Sequence, residues 1–483
     1  MAESKHCYIT TTLPYVNADP HVGFALEIVR ADVLARYHRA QGDAVFFNTG
    51  TDEHGAKIHE AAMKEGVSPQ EYTDRLAVRF RELRDLLNLS VDNFIRTTDS
   101  HHVLAAQEFW KRCDANGDIY KKLYKVKYCI GCELEKTDSE LDENGRCGVH
   151  PNRELEVREE ENYFFRFSKY TEPLLKFYNE HPDFVIPDFR FNETKAFVSR
   201  GLEDFSISRL KTKMPWGVPV PGDEDHVMYV WFDALVNYIS AIGWPHNMER
   251  FEEWWPVTQY CGKDNNRQQS AMWQAMLMSA KLPNSKHIVI NGFINSGGQK
   301  MSKSLGNVIN PYDVVEMFRS VTPFPEDVLR FVLLHDVPSF EDGDMTIESI
   351  KTSYATHLQN GIGNLTSRIM KMATTHLDGP VEIHEFSHKN GIDKAFESFD
   401  LKRAIEQVMG AGSELDAYIQ ETAPFKVIKV NKEDGEVLIV EMVERLYRIA
   451  ILLEPFLPNT AKEIQRLVRE HKMPEAPLFN RLS

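Results

Sequence analysis

The chain has no stretch of 18 apolar residues, so it contains no segment of the length, about 18–20 residues, that a membrane-spanning helix needs. Its first residues, MAESKHCYITTT, lack the basic, apolar and small-residue order of an export signal, and a cytoplasmic protein is expected. Cysteine is scarce: six in 483 residues exclude a disulfide-stapled scaffold. Three of them, Cys129, Cys132 and Cys147, lie close together, as metal ligands do, while Cys7, Cys113 and Cys261 are scattered and read as buried thiols. Positive charge is also short. A formal charge of -16 argues against general binding of nucleic acid or anionic membrane, yet leaves room for a local basic groove that grips one folded RNA. From Lys351 onward 17 Lys+Arg face 19 Asp+Glu, so the acidity sits mostly in the first 350 residues. There is no internal repeat and no low-complexity segment.

What is present is globular in composition, 42% hydrophobic and 27% charged, in a length that suggests two to four domains. The first hundred residues alternate strand and helix patterns: CYITTTL, a helical stretch from Val22 to Gln41, AVFFNT, and then HGAKIHEAAMKEG and SPQEYTDRLAVRFRELRDLLN. Alternation of this kind predicts a parallel sheet covered by helices, a Rossmann-like α/β fold. Between about Gly117 and Pro221 the texture changes to short strand-like pieces and charge runs, which reads as an insertion. Strand signals resume with VMYVWF, WWPVTQYCG and KHIVINGF, so the sheet is expected to be completed after it. Beyond Thr346 the periods are three and four almost throughout, predicting an all-α bundle. The expected division is 1–116 and 222–299 for the two halves of the catalytic domain, 117–221 for the insertion, 300–346 for a loop and junction, and 347–483 for the bundle.

In an open parallel sheet, ligands bind outside the carboxyl ends of the strands. The loops PYVNADPHVGF, GTDEHG, GKDNNRQQ and NSGGQKMSKS all fall at such ends and should meet in one crevice. His21 and Gly23 open a helix, whose N-terminal N–H groups and dipole suit phosphate; Gly23 lets an adenine approach the backbone and His21 can donate a hydrogen bond. An isolated His-x-Gly is common by chance. In KMSKS, Lys300 and Lys303 with Ser302 and Ser304 follow the pair Gly297-Gly298, and can clamp a triphosphate as pyrophosphate leaves. Taken alone, that loop reads equally as solvated surface. Cys129-x2-Cys132 and Cys147-x2-His150 are two chelating pairs separated by fourteen residues, the pattern of a closed, four-ligand structural zinc site.

Together these motifs resemble the class I aminoacyl-tRNA synthetases, and among them the methionyl-tRNA synthetase family. PYVNADPHVG, FFNTGTDEHG, SISR, YVWFDAL, GKD and GGQKMSKSLGN stand in that family's order along nearly the whole chain. The resemblance implies an ATP-dependent ligase that adenylates methionine, releases pyrophosphate and esterifies the terminal adenosine of tRNA(Met), with Mg²⁺ accompanying ATP. By it His21 and Lys303 would contact phosphates, Lys300 would support the loop and Arg209 of SISR would face the reacting phosphate, the alternative for Arg209 being a surface ion pair. The methionine pocket would be Leu13, Tyr15, Asp52, Trp231, Ala234, Leu235, Tyr238 and Gln269, in which 231, 234 and 238 share one helical face. Without the family, that stripe would read as core and Asp52 as a helix cap. The insertion would lie over the active site. Asn364, Arg368 and Phe425 would read the anticodon, the first two at i and i+4 on one face and the third after Pro424 at a helix start. For Phe425 a place in the core is the even alternative.

Two departures from the family pattern stand out. Phe24 replaces the second histidine of His-x-Gly-His and cannot donate to phosphate, a loss worth roughly 10²–10³ in rate unless another group substitutes. Gln268 and Gln269 stand where an aromatic and a histidine are usual, and Gln269 retains the capacity to donate and accept. Compensation and decay are both open readings, as are a non-catalytic tRNA-binding relative and a synthetase for another aliphatic amino acid. With no further module after the bundle, a monomer is expected.

Overall fold

The computed structural model describes residues 5–17, 19–132, 134–136, 141–301, 306–383 and 392–482. Six strands form the central sheet: β1 (His6–Thr11), β2 (Ala44–Thr51), β3 (Asn93–Arg96), β4 (Val185–Ile186), β5 (Val257–Gly262) and β6 (His287–Asn291). Their spatial order is β3-β2-β1-β5-β6-β4 and every pairing is parallel, with Tyr8 opposite both Phe46 and Val257. The order reverses between β1 and β5, and such a switch point opens a crevice at the carboxyl edge. Because both faces of the sheet are covered, its strands are buried along successive residues instead of on alternate ones: Phe46 to Thr51 of β2, the polar Asn48, Thr49 and Thr51 included, are all buried.

Helix α1 (Val22–Ala40) crosses behind the switch point. It is buried on nearly every side from Val22 to Ala35, because the sheet covers one face and helix Pro325–His335 the other. Charged residues on it are consequently trapped, and Arg30 and Asp32 are each held by several partners. Arg30 donates to Asn291 Oδ1 at 2.8 Å and to the carbonyls of Val337, Pro338 and Ser339 at 3.2, 2.7 and 2.7 Å. Asp32 accepts from Arg330 at 2.7 Å, both side chains being fully buried, and from Ser90 N at 2.6 Å. Removing one member of such a pair strands a buried charge and costs about 3–5 kcal/mol. These bonds tie the first half of the sheet to the helical region.

The interval 117–221 holds a four-stranded antiparallel sheet in the order Leu134–Lys136, Ile119–Cys129, Glu156–Phe165, Phe205–Ser206. The parallel sheet also takes its edge strand β4 from this interval. WWPVTQYCG and KHIVINGF supply β5 and β6, but VMYVWF does not join the parallel sheet. Its Val227 and Met228 end a strand (Asp223–Met228) in a separate three-stranded antiparallel sheet, after which the chain turns helical at Val230. The residues after that strand are apolar because they are buried helix, which a short apolar run does not distinguish from strand.

The C-terminal region is helical, with Asn364–His376, Leu401–Thr422, Lys432–Leu453 and Pro458–Arg469 as its long members. One apolar core runs continuously from α1 through helix Pro325–His335 into this bundle, and a second fills the opposite face of the sheet. Among the described residues no helix is long and apolar enough to cross a membrane.

Candidate active site and metal group

The loops that follow β1, β2, β5 and β6 meet at the switch point around a crevice of about 520 Å³, within the usual range of small-molecule sites, about 300–1,000 Å³. The loops after β1 and β2 are zipped together: Val16 N donates to the Asp52 carbonyl at 3.2 Å and Asp52 N to the Pro14 carbonyl at 3.0 Å. This sets Tyr15 beside Asp52, which is buried as part of the bridge and caps no helix. Behind them, Gly55 has φ 121° and ψ 171°, and a Cβ there would lie 2.0 Å from the Tyr15 hydroxyl. Only glycine fits.

His21 is the N-cap of α1. Its Nδ1 accepts from Gly23 N at 3.0 Å, so in the neutral ring the proton resides on Nε2 as a donor. Burial lowers its pKa, with Asp264 opposing, which favours that neutral form. A Cβ at Gly23 would come within 2.8 Å of the His21 ring, so the glycine also makes room for the imidazole folded back over it. Phe24 is half-buried in the crevice wall and meets Phe80 edge to face at 5.7 Å.

One functional-looking residue was missed from the sequence. Glu27 lines the crevice, is 6% exposed, and accepts from Thr12 N and Oγ1 at 2.7 and 2.6 Å. Burial raises its pKa to about 8 despite those bonds. The signal was an acid inside the apolar stretch GFALEI. Asp264 is a second acid of the crevice whose pKa burial raises, Lys300 and Lys263 opposing.

Leu13, Tyr15, Asp52, Trp231, Ala234, Leu235, Tyr238 and Gln269 all line this crevice, as do His21, Gly23, Phe24 and Lys300. Trp231, Ala234 and Tyr238 reach it from two short helices, Val230–Ala234 and Asn237–Ser240, rather than from one continuous helix. Gln269 sits on a π-helical turn, Gln268–Met272; its Nε2 donates to the Tyr238 hydroxyl at 2.7 Å and its Oε1 accepts from Gln259 at 3.1 Å. Gln259 in turn accepts from Ser285 at 2.6 Å. Gln268 is buried but stands outside the crevice lining. Beneath the pocket Asp233 bridges His54 at 2.6 Å and His102 at 2.8 Å; burial alone would raise its pKa, but the two histidines bring it down to about 2.

Arg209 is not in the lining. It is buried in a small antiparallel sheet, where it donates to Ser206 Oγ at 2.8 Å and the Ser208 carbonyl at 2.7 Å and lies 4.4 Å over the Tyr229 ring. Lys300 ends the hairpin after Gly297 and Gly298, both at positive φ, with its ammonium 5.2 Å over the Phe293 ring. Ser302, Lys303 and Ser304 lie outside the described residues.

The donor atoms of Cys129, Cys132, Cys147 and His150 all lie within 4.8 Å of one another, and this group could hold a metal ion. Cys132 Sγ is 3.3 Å from Cys147 Sγ and 3.2 Å from His150 Nδ1. A Cβ at Gly131 would stand 2.5 Å from the His150 ring, so the knuckle closes only over glycine. Three thiols and an imidazole fit a tetrahedral thiophilic cation. Cys132 also borders the crevice, and Lys57 Nζ donates to the Gly131 carbonyl at 3.4 Å, joining the metal group to its rim.

In the bundle, Asn364 is exposed at the start of its helix, just after non-helical backbone at Gly361, and Arg368 pairs with Asp416. Phe425 follows Ala423, at φ 43°, and Pro424; the residue is 42% exposed, which removes it from the core.

A switch-point crevice with a histidine-capped helix on one side and a lysine-bearing hairpin on the other is the arrangement of a nucleotide-using enzyme. The profile of the family described as "tRNA synthetases class I (M)" matches residues 7–149 and 135–370. A methionine–tRNA ligase of Thermotoga maritima is 40% identical over 97% of this chain and 76% of its own length, and one of Brucella suis 38% identical over 96% and 92%. The structure of Mycobacterium tuberculosis methionyl-tRNA synthetase in complex with methionyl-adenylate superposes with a TM-score of 0.90 at 35% identity, covering 98% of this chain and 99% of that one. The chain belongs to the class I tRNA synthetases, in the branch of the methionine–tRNA ligases.

Proposed function

We propose that this chain activates methionine with ATP and transfers it to tRNA(Met), and that the residues gathered in the crevice do the work. The observation that carries this reading is the convergence of an apolar, aromatic pocket and the His21 helix terminus in one cavity of about 520 Å³. Trp231, Ala234, Leu235, Leu13 and Tyr238 supply the polarizable surface that a thioether prefers, and Asp52 beside Tyr15 is the carboxylate for the substrate ammonium. Gln269, locked between Gln259 and Tyr238, takes the position of the usual histidine and holds the tyrosine hydroxyl in place.

In the first step a methionine carboxylate oxygen attacks the α-phosphorus of ATP, and the bond to the bridging oxygen breaks as pyrophosphate leaves. The neutral His21 donates from Nε2 toward phosphate at the α1 terminus, and Gly23 leaves the backbone open to the nucleotide. Lys300 and Lys303, with Ser302 and Ser304, neutralise the charge that develops on pyrophosphate, and Mg²⁺ arrives with ATP as part of the substrate. Phe24 contributes shape instead of a donor. Arg209, held by the Ser206 hydroxyl and the Ser208 carbonyl, serves the reacting phosphate from the small antiparallel sheet. In the second step a ribose hydroxyl of the terminal adenosine attacks the methionyl carbonyl and AMP leaves. Cys129, Cys132, Cys147 and His150 would hold zinc, a structural ion that would stabilise the insertion at the crevice rim and take no part in the chemistry. Asn364, Arg368 and the exposed ring of Phe425 read unstacked anticodon bases.

The test is methionine-dependent exchange of labelled pyrophosphate into ATP, with Lys303→Ala as control. Exchange that requires both methionine and Lys303 is expected. Folded, zinc-loaded protein without exchange would overturn the reading and leave a tRNA-binding relative, separable by whether ATP and methionine together raise the melting temperature beyond either alone.

A further inference from the structure

At the opposite end of the sheet from the crevice, Cys7, His38 and Asp43 converge. Cys7 is at the start of β1 and His38 in the last turn of α1. Gly42, at φ 85°, turns the chain so that Asp43 enters β2. Cys7 Sγ is 3.6 Å from His38 Nδ1, Asp43 Oδ2 is 2.8 Å from the same Nδ1, and Sγ and Oδ2 are 4.0 Å apart. Five residue steps along the chain, about 16 Å at 3.3 Å per residue, separate Cys7 from Thr12 of the crevice.

A thiol, imidazole and carboxylate suggest a nucleophilic triad, but the geometry excludes it. A triad needs the thiol on one ring nitrogen and the carboxylate on the other, whereas here both approach Nδ1. Three donor atoms of different side chains facing one point are instead the arrangement of a cation site. With bond lengths of about 2.3 Å to sulfur and about 2.0–2.2 Å to nitrogen and oxygen, a tetrahedral zinc ion requires donor separations of about 3.4–3.6 Å. The separations of 3.6, 2.8 and 4.0 Å bracket that range, so sub-ångström shifts of half-buried side chains suffice.

We propose that Cys7, His38 and Asp43 form a second metal site, distinct from the four-ligand group of the insertion, which binds zinc or a similar borderline divalent cation with its fourth position open. The thiolate excludes magnesium and calcium as preferred ions, and thiolate plus carboxylate neutralise a dication. On binding, the Cys7 S–H proton passes to solvent, the Cys7 sulfur, His38 Nδ1 and Asp43 oxygen form bonds to the metal, and the imidazole proton resides on Nε2. The trio lines a cavity of about 850 Å³ shared with Lys286, His287 and Glu397, so water or a small anion can reach the remaining position. The ion staples the start of β1, the end of α1 and the start of β2.

The full chain, stripped by chelator and re-equilibrated with micromolar free zinc, is expected to carry two equivalents. Cys7→Ser and His38→Gln should each retain one, with pyrophosphate exchange intact. Should Cys7→Ser fail to fold, Asp43→Asn, which preserves shape and thiol, decides by the same count. Cobalt gives an independent readout: the thiolate charge-transfer band should gain a second titration phase that Cys7→Ser lacks. A single equivalent in the wild-type chain, or two in the variants, would overturn the proposal and leave the trio as a hydrogen-bonded cap.

Discussion

Replacing Gly55 by alanine tests how the crevice holds its tyrosine. The glycine sits at φ 121° and ψ 171°, a region essentially closed to other residues, and forcing an L side chain there costs about 1–3 kcal/mol. A second cost is steric. The new methyl would stand 2.0 Å from the Tyr15 hydroxyl and 3.2 Å from the ring carbon that bears it, against a comfortable separation of about 3.5 Å. The ring must withdraw by about 1.5 Å, which pulls on the bridge between Val16 and Asp52. The methionine side of the crevice therefore loses its wall and the placement of its carboxylate together. Gly55→Ala is expected to raise the methionine KM in pyrophosphate exchange about tenfold or more, the equivalent of about 1.4 kcal/mol, with the ATP KM changed less than about twofold. Tyr15→Phe removes the atom that clashes. In the double variant the steric part of the loss should disappear while the backbone part remains, which a double-mutant cycle resolves as a coupling. Gly66→Ala is the control: φ is 72° with open space around the position, so stability falls by about 1 kcal/mol and both KM values stay put. An unchanged methionine KM in Gly55→Ala, or no coupling with Tyr15→Phe, refutes the reasoning.

Four further outcomes are expected. Because the Glu27 pKa is raised from 4.5 to about 8, the folded state holds a proton the unfolded state has lost between those values, so this group makes stability fall as pH rises from 4.5 to 8; Glu27→Gln should flatten that part of the stability profile, and an unaltered slope in denaturant melts would contradict it. Gln269→Leu strands the buried Gln259 amide and removes the donor to Tyr238, at a cost of about 1–3 kcal/mol, and should raise the methionine KM about tenfold in exchange assays while sparing that of ATP. Phe24→His gives up the edge contact with Phe80, worth about 1 kcal/mol in a chemical melt, but adds a donor at the helix terminus and should increase the exchange rate; a lower rate would mean that the crevice is organised around the phenyl ring. Phe425→Ala should leave exchange unchanged and weaken tRNA charging by about 1–3 kcal/mol in kcat/KM, the value of one stacked base.

Local patterns carried much of the architecture. β1, β2, β5 and β6 were legible because each is a β-branched or aromatic run followed by turn chemistry. The metal group was legible because two chelating pairs need only local spacing. VMYVWF misled because a short apolar run looks alike in strand and buried helix, and the two-residue β4 offers no pattern at all. Glu27 and Gly55 escaped notice for a related reason: what singles them out is a partner far along the chain or across the crevice, Thr12 for one and Tyr15 for the other.

By itself the sequence determined that this is an α/β chain with a group of three cysteines and a histidine that could hold a metal ion, a helical end, and loops that meet at the edge of the parallel sheet, since periodicity, turn residues and ligand spacing act over a few residues. The tertiary structure decided what those residues face. It anchored Arg209 in a side sheet, brought Phe425 to the surface, wrapped α1 in both the sheet and the bundle, and joined Cys7, His38 and Asp43. Such outcomes depend on burial and on contacts between distant segments, whose energies exist only once the strands have taken their order.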